Sequence, residues 1–156
     1  MAHPNVERVR AALAQCGLIV EPVEFAESTR TSAEAAAAIG TEVARIAKSL
    51  VFLIGDTPVL VIASGVNRVD TAKLARLLGG TVKRADADAV RRATGFPIGG
   101  VPPVGYAERL RVVIDEDLLR YPTVWAAAGT PNAVFELAPE DLARITGGQV
   151  ADVRAE

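Results

Sequence analysis

Reactive side chains are scarce in this chain, and the scarcity narrows its chemistry. Among 156 residues there is one histidine, His3, one cysteine, Cys16, and three lysines, Lys48, Lys73 and Lys83. An internal disulfide is impossible, and His and Cys are too few to close a structural zinc site. A Ser-His-Asp or Cys-His relay would have to use His3, beside a terminus of the kind that frays. Any catalysis is expected to run without a histidine base.

Three segments remain. Lys48 lies between Ile46 and Leu50, read as a helix-to-strand junction directly before the most apolar run of the chain. An ammonium there either answers the negative end of a helix with its stem snorkelling, or points into a cleft as a charge for a phosphate or an anionic transition state. The second segment, Gly95 to Gly105, packs four glycines and three prolines into eleven residues. Glycines let backbone N–H groups approach a ligand, and prolines fix the path of the loop beforehand. It matches neither the Gly-x-Gly-x-x-Gly fingerprint nor a Walker loop, so no nucleotide cofactor is implied. The third, Ala126 to Asn132, is a small-residue strand end running into a turn, able to line a pocket or to pack a strand closely on a helix. Asp115, at a strand end, is either a base or the cap of the turn Asp115-Glu116-Asp117, and the cap is the favoured reading.

The elements that must position these segments follow from periodicity. Val6, Val9, Leu13 and Cys16 share one face of a helix over 5–16, stopped by Gly17. Ile19 to Phe25 reads as a strand. The hydroxyl-rich run Ser28 to Ser32 offers caps, and Thr31 with Glu34 fits a capping box for an alanine-rich helix ending at Gly40. A short helical turn from Thr41 runs into Ile46 to Ser49. The runs 50–54 and 59–63 form a hairpin around a four-residue loop, Gly55 to Pro58. Asp70 and Asp86 open helices to Leu78 and about Thr94, with a short strand at 81–84 between them. Strands at 111–115, 123–128 and 133–137, a helix over 139–145 and a strand near 149–152 complete an α+β fold. It is a single domain over 1–156 with mostly antiparallel neighbours.

Half the residues are apolar and mean hydropathy is +0.26, which excludes disorder. No apolar run nears the ~20 residues of a membrane helix. The first residues carry no cationic segment leading into an apolar one, so a cytoplasmic protein is expected. Net charge is −2, but Val66 to Val112 holds nine basic and four acidic residues, a local +5 suited to a polyanion or to solvated helix faces.

Taken together, the sequence resembles the YbaK/ProX family of aminoacyl-tRNA deacylases, relatives of the editing domain of bacterial prolyl-tRNA synthetases. The resemblance rests on Thr31-Ser32-Ala33-Glu34-Ala35-Ala36, Ile46-Ala47-Lys48-Ser49-Leu50-Val51-Phe52, Thr94 to Gly105, Val113-Ile114-Asp115 and Ala128-Gly129-Thr130-Pro131, in order over nearly the whole chain. It implies a mainly antiparallel, barrel-like mixed sheet flanked by helices. It also implies hydrolysis of the ester of a mischarged aminoacyl-tRNA, typically tRNA(Pro), by a free-standing trans-editing enzyme, with prolyl-tRNA synthetase as a possible partner and neither metal nor organic cofactor.

In that reading Lys48 holds the acceptor end, Gly99 and Gly100 place backbone donors at the scissile carbonyl, and Thr31, Ser49, Pro102, Gly129, Thr130 and Asn132 shape the substrate site. Ester chemistry needs only water, the substrate's own hydroxyl and oriented donors. Val134, Asn132 and Ser49 stand where other members carry Asp, His, and Thr or Asn, which leaves the amino acid open. Two alternatives share these features: a non-catalytic tRNA- or nucleotide-binding module, and a Schiff base on Lys48. The second lacks a cationic neighbour visible in the sequence that would depress the lysine pKa.

Overall fold

The computed structural model describes residues 3–26 and 31–156; Ser28 to Arg30 of the hydroxyl-rich run lie outside them. In chain order the elements are α1 (Pro4–Gln15), β1 (Val23–Glu24), α2 (Ser32–Ile39), a 3-10 turn (Val43–Arg45), β2 (Ile46–Ile54), β3 (Thr57–Ser64), α3 (Thr71–Leu78), β4 (Val82–Arg84) and α4 (Ala87–Thr94). There follow β5 (Arg111–Asp115), a 3-10 helix (Glu116–Arg120), β6 (Val124–Ala127), β7 (Ala133–Leu137), α5 (Pro139–Thr146) and β8 (Gln149–Ala151).

The strands form one sheet in the order β1-β7-β6-β2-β3-β5-β8, with β4 also on β2. Four pairings are antiparallel and three are parallel (β2 with β6, β3 with β5, β5 with β8), so the sheet is mixed as expected. Among the described residues it stays open, because β1 and β8 are its edges and do not pair.

Both faces of the central strands are covered, which explains why 50–54 and 59–63 lack polar alternation. Leu60 and Ile62 point into a core shared with Val6, Val9 and Leu13 of α1, Phe96 and Phe135. Val59 and Val61 point the other way, to Leu74 of α3, Phe52 and Val113. Each fully buried Leu or Ile contributes roughly 1.5–3 kcal/mol, so β2 and β3 form a rigid platform.

Capping follows the sequence closely. The Thr31 hydroxyl accepts from the Glu34 N–H, and Asp70 and Asp86 cap α3 and α4. Three boundaries differ from expectation. The hairpin turn is Gly55-Asp56 alone, since Ile54 already pairs with Thr57. The strand expected over 19–25 shrinks to Val23–Glu24, because only those residues stand in register with β7, and Phe25 just beyond donates its N–H to the Asn132 carbonyl at 2.7 Å. Finally, Lys48 does not sit at a helix end. β2 begins at Ile46, paired with Trp125, and Lys48 is its third residue.

Candidate active site

The site arises where β2 changes neighbours along one edge. β6 pairs only with Ile46 and Ala47, while β4 pairs only from Phe52 to Ile54. Between them β6 and β4 splay apart, and a cavity of about 790 Å³ opens over Lys48, Ser49, Leu50 and Val51. The N-terminus of α2, the segment Val66–Val69, Arg84, the loop around Ile98 and Gly99, and Pro131 with Val134 form its walls.

Strand alternation divides the cavity into two kinds of surface. Lys48 lies on the face of β2 that carries Phe52, and its ammonium donates to the main-chain carbonyl of Asn67 at 2.6 Å. Asn67 is held from behind. Its amide nitrogen donates to Asp115 and Asp117, both at 2.8 Å. Asp115 is fully buried and accepts further from the N–H groups of Ser64 and Asp117, each at 3.0 Å. Asp115 thus caps the 3-10 helix as expected, and also anchors the carbonyl that holds the lysine. Arg154 and Arg120 neutralise Asp117 at 3.1 and 3.2 Å.

Burial and the neighbouring Arg84 guanidinium lower the Lys48 pKa, and Asp115 offsets them in part. The cationic neighbour missing from the sequence is therefore Arg84, brought across the sheet by β4. Among the described residues Lys48, Arg68 and Arg84 all line the cavity, and none has a carboxylate within ion-pair distance. An anion entering here meets cations whose mutual repulsion it relieves.

On the other face Ser49 sits with Val51, Val90 and Val101 as apolar neighbours of the cavity. Its hydroxyl oxygen is buried and has no hydrogen-bond partner among the described residues.

Of the residues singled out from sequence, Thr31, Lys48, Ser49 and Gly99 line the cavity; Gly100, Pro102, Gly129, Thr130 and Asn132 do not line it, though their neighbours Gly99, Val101 and Pro131 do. Gly99, at φ +85°, is the third residue of a turn in which the Gly100 N–H donates to Pro97 at 3.0 Å. That bond competes with any donation from Gly100 to a substrate carbonyl. A Cβ on Gly100 would lie 2.8–2.9 Å from the Thr130 backbone, so its requirement is close packing of the loop on the turn 129–132. That turn is tied down on both sides: Asn5 donates to Gly129 at 3.1 Å, and Asn132 donates to Phe25 at 2.9 Å. The Pro102 carbonyl accepts from Tyr106, whose hydroxyl pKa burial raises.

The basic run 66–112 divides. Arg68 and Arg84 reach the cavity, Lys73 pairs with Asp152 at 3.0 Å, and Arg109 and Arg111 border a separate groove beside α5. Sequence reasoning missed Asn67, Arg84 and Trp125, because only the fold carries them to β2. No group of three His, Cys, Asp or Glu among the described residues is placed to hold a metal. Among the described residues no helix is long and apolar enough to cross a membrane.

Residues 26–145 match the family model described as the aminoacyl-tRNA editing domain. A crystal structure of a candidate trans-editing enzyme for prolyl-tRNA synthetase superposes with a TM-score of 0.96 at 48% identity, over all of both chains. The uncharacterized protein YwhH of Bacillus subtilis is 34% identical over 94% of each chain. EbsC of Enterococcus faecalis, named as a candidate Cys-tRNA(Pro)/Cys-tRNA(Cys) deacylase, is 33% identical over 83% of this chain and 82% of its own.

Proposed function

Since the chain belongs to the aminoacyl-tRNA editing domain family, we propose that it is a trans-editing deacylase that hydrolyses the ester of a mischarged aminoacyl-tRNA, tRNA(Pro) first among candidates. The observation that carries this reading is the pairing of surfaces across β2. A cationic surface whose Lys48, Arg68 and Arg84 form no ion pair among the described residues suits the phosphate-bearing acceptor end, and a small apolar surface with one hydroxyl unpartnered among those residues suits a short side chain.

Lys48 binds the terminal nucleotide through its charge, with Arg84 and Arg68 beside it. Thr31, at the start of α2, and Gly99 close the cavity around the acyl group. Gly100, Pro102, Gly129, Thr130 and Asn132 hold the wall against which it rests. In the reaction a water oxygen bonds to the ester carbonyl carbon, and the bond from that carbon to the ribose oxygen breaks. The proton from water passes to the ribose oxygen. The products are the free amino acid and a tRNA with an intact terminal hydroxyl. Positioning and oriented dipoles suffice for such an ester.

The test is deacylation of tRNA(Pro) charged with Ala, Cys, Ser, Thr, 2-aminobutyrate or Pro. Turnover of one or a few non-cognate esters with Pro spared is the expected result. Binding without turnover on any of them would make the protein a tRNA-binding module.

A further inference from the structure

The main chain of β2 offers a site that none of its side chains reveals. The Gly65 N–H donates to the Ile46 carbonyl at 2.8 Å, so even-numbered residues of β2 turn their peptide groups toward β3 and odd-numbered residues turn theirs to the opposite edge. On that opposite edge the register to β6 ends at Ala47 with Ala126, and the register to β4 begins at Phe52 with Arg84. The Val51 carbonyl is taken by the Ala85 N–H at 3.1 Å. Among the described residues this leaves the Ser49 N–H, the Ser49 carbonyl and the Val51 N–H without a strand partner, all three on the cavity. Backbone groups in such a place are normally satisfied, here by something that enters the cavity.

We infer that this bare stretch of β2 is the clamp for the aminoacyl group: the Ser49 carbonyl accepts from the substrate α-amino group, and the Ser49 or Val51 N–H donates to the ester carbonyl as its oxygen becomes negative. The inference rests on the deacylase reading. An α-aminoacyl ester carries one donor and one acceptor flanking a single Cα, the pattern by which one strand residue pairs with another. Pairing through both Ser49 groups puts the substrate side chain on the same face as the Ser49 side chain, whereas a Val51 donor would turn it to the Leu50 face. On the Ser49 face it meets the partnerless Ser49 hydroxyl and the valines at 51, 90 and 101. The ribose and phosphate then extend toward the Lys48 face. The clamp assigns the reacting carbonyl to a rigid strand, whereas the Gly100 N–H is engaged in its own turn.

Single-atom backbone changes test this. Chains with the α-hydroxy acid analogue at Ser49 or Val51, made by nonsense suppression, lose one N–H and keep the side chain. They are assayed on the aminoacyl-tRNA(Pro) that the wild type cleaves fastest and on its N-acetyl derivative. At one of the two positions kcat/KM is expected to fall tenfold or more, toward the ~10²–10³ of a lost oxyanion donor, with Tm unchanged. The analogue at Leu50, whose N–H belongs to the β3 ladder, is expected to lower Tm instead. The N-acetyl ester is expected to be cleaved at least tenfold more slowly by the wild type. Full rates in both the 49 and 51 analogues would overturn the donor assignment, and equal cleavage of the N-acetyl ester would overturn the acceptor assignment. A wild type inert on every ester would instead overturn the deacylase reading itself.

Discussion

The Lys48 ammonium is held by the main-chain carbonyl of Asn67 at 2.6 Å, not by a carboxylate. A neutral acceptor fixes the direction of the charge without cancelling it, so the charge remains available to an incoming phosphate. Replacing Lys48 with Met keeps the apolar stem and removes the charge. Deacylation is expected to fall by at least about 10²-fold, the scale of a lost electrostatic contact in a site of this kind. Rate measurements beside thermal melts check this; a rate within a few-fold of wild type would take Lys48 out of the reaction.

The same variant carries a prediction about stability. Burial and Arg84 depress the Lys48 pKa in the folded chain below its ordinary 10.5. Between the two values the unfolded chain binds the extra proton, so stability rises with pH through that window. At neutral pH the charged lysine therefore works against folding. Lys48→Met is expected to leave Tm unchanged or to raise it, and a fall of several degrees would show that the lysine is a structural element.

Ligand binding should titrate on the alkaline side. The protonated lysine attracts phosphate, so affinity is lost as pH rises through a pKa lower than that of a free lysine. Binding of a short CCA-ended oligonucleotide, followed by calorimetry, avoids the spontaneous hydrolysis of esters at high pH. Arg84→Gln removes a repulsive neighbour and is expected to move the midpoint upward. Lys48→Arg keeps its charge throughout and should remove the limb. A midpoint that ignores both changes would assign the titration elsewhere.

Much of this arrangement was legible before the fold was known, for identifiable reasons. Caps such as Thr31, Asp70 and Asp86 act within three residues of themselves, so local sequence suffices to place them. The runs around Leu53 and Leu60 announce a covered hairpin through composition alone. Lys48 stood out because a charge bordered by Ile46 and Leu50 is costly to place. Its strand position was hidden, since the register of Ile46 is set by Trp125, 79 residues later. Asn67, Arg84 and the bare edge at Ser49 depend on which strands neighbour β2. Register of that kind is a property of the assembled sheet. The glycine loop shows the opposite case: Gly99 and Gly100 were visible as a pair, but only contact with Thr130 separates a cavity-lining residue from a packing one.

Gly100→Ala tests that separation. Its methyl group would lie 2.8 Å from the Thr130 Cα and carbonyl carbon, which are backbone atoms unable to swing aside. Overpacking of this kind costs about 1–3 kcal/mol and pushes the loop off the turn 129–132. Tm and deacylation are expected to fall together. A variant with wild-type Tm and no activity would instead return Gly100 to direct contact with the substrate.

On the proposed mechanism Asn67, which also lines the cavity, and Asp115 act by orienting the lysine, which makes them positioning residues with a distinctive signature. Asp115→Asn replaces a buried acceptor of three N–H groups by an amide that must turn an NH₂ toward one of them. Hydrogen bonds to a charged group contribute about 1.5–3 kcal/mol each, so a loss of roughly 2–3 kcal/mol in urea unfolding is expected. Asn67→Ala keeps the carbonyl that Lys48 uses but frees the segment carrying it from Asp115 and Asp117. The lysine then keeps its charge and loses its direction. In Asn67→Ala, kcat is expected to fall about tenfold with a smaller change in KM, and Asn67→Asp is not expected to rescue it because a carboxylate facing Asp115 and Asp117 repels both. Asn67→Gln retains the amide and should recover part of the rate. A purely structural role would lower Tm in all three variants without changing kcat of the folded fraction, and that result would end the positioning argument.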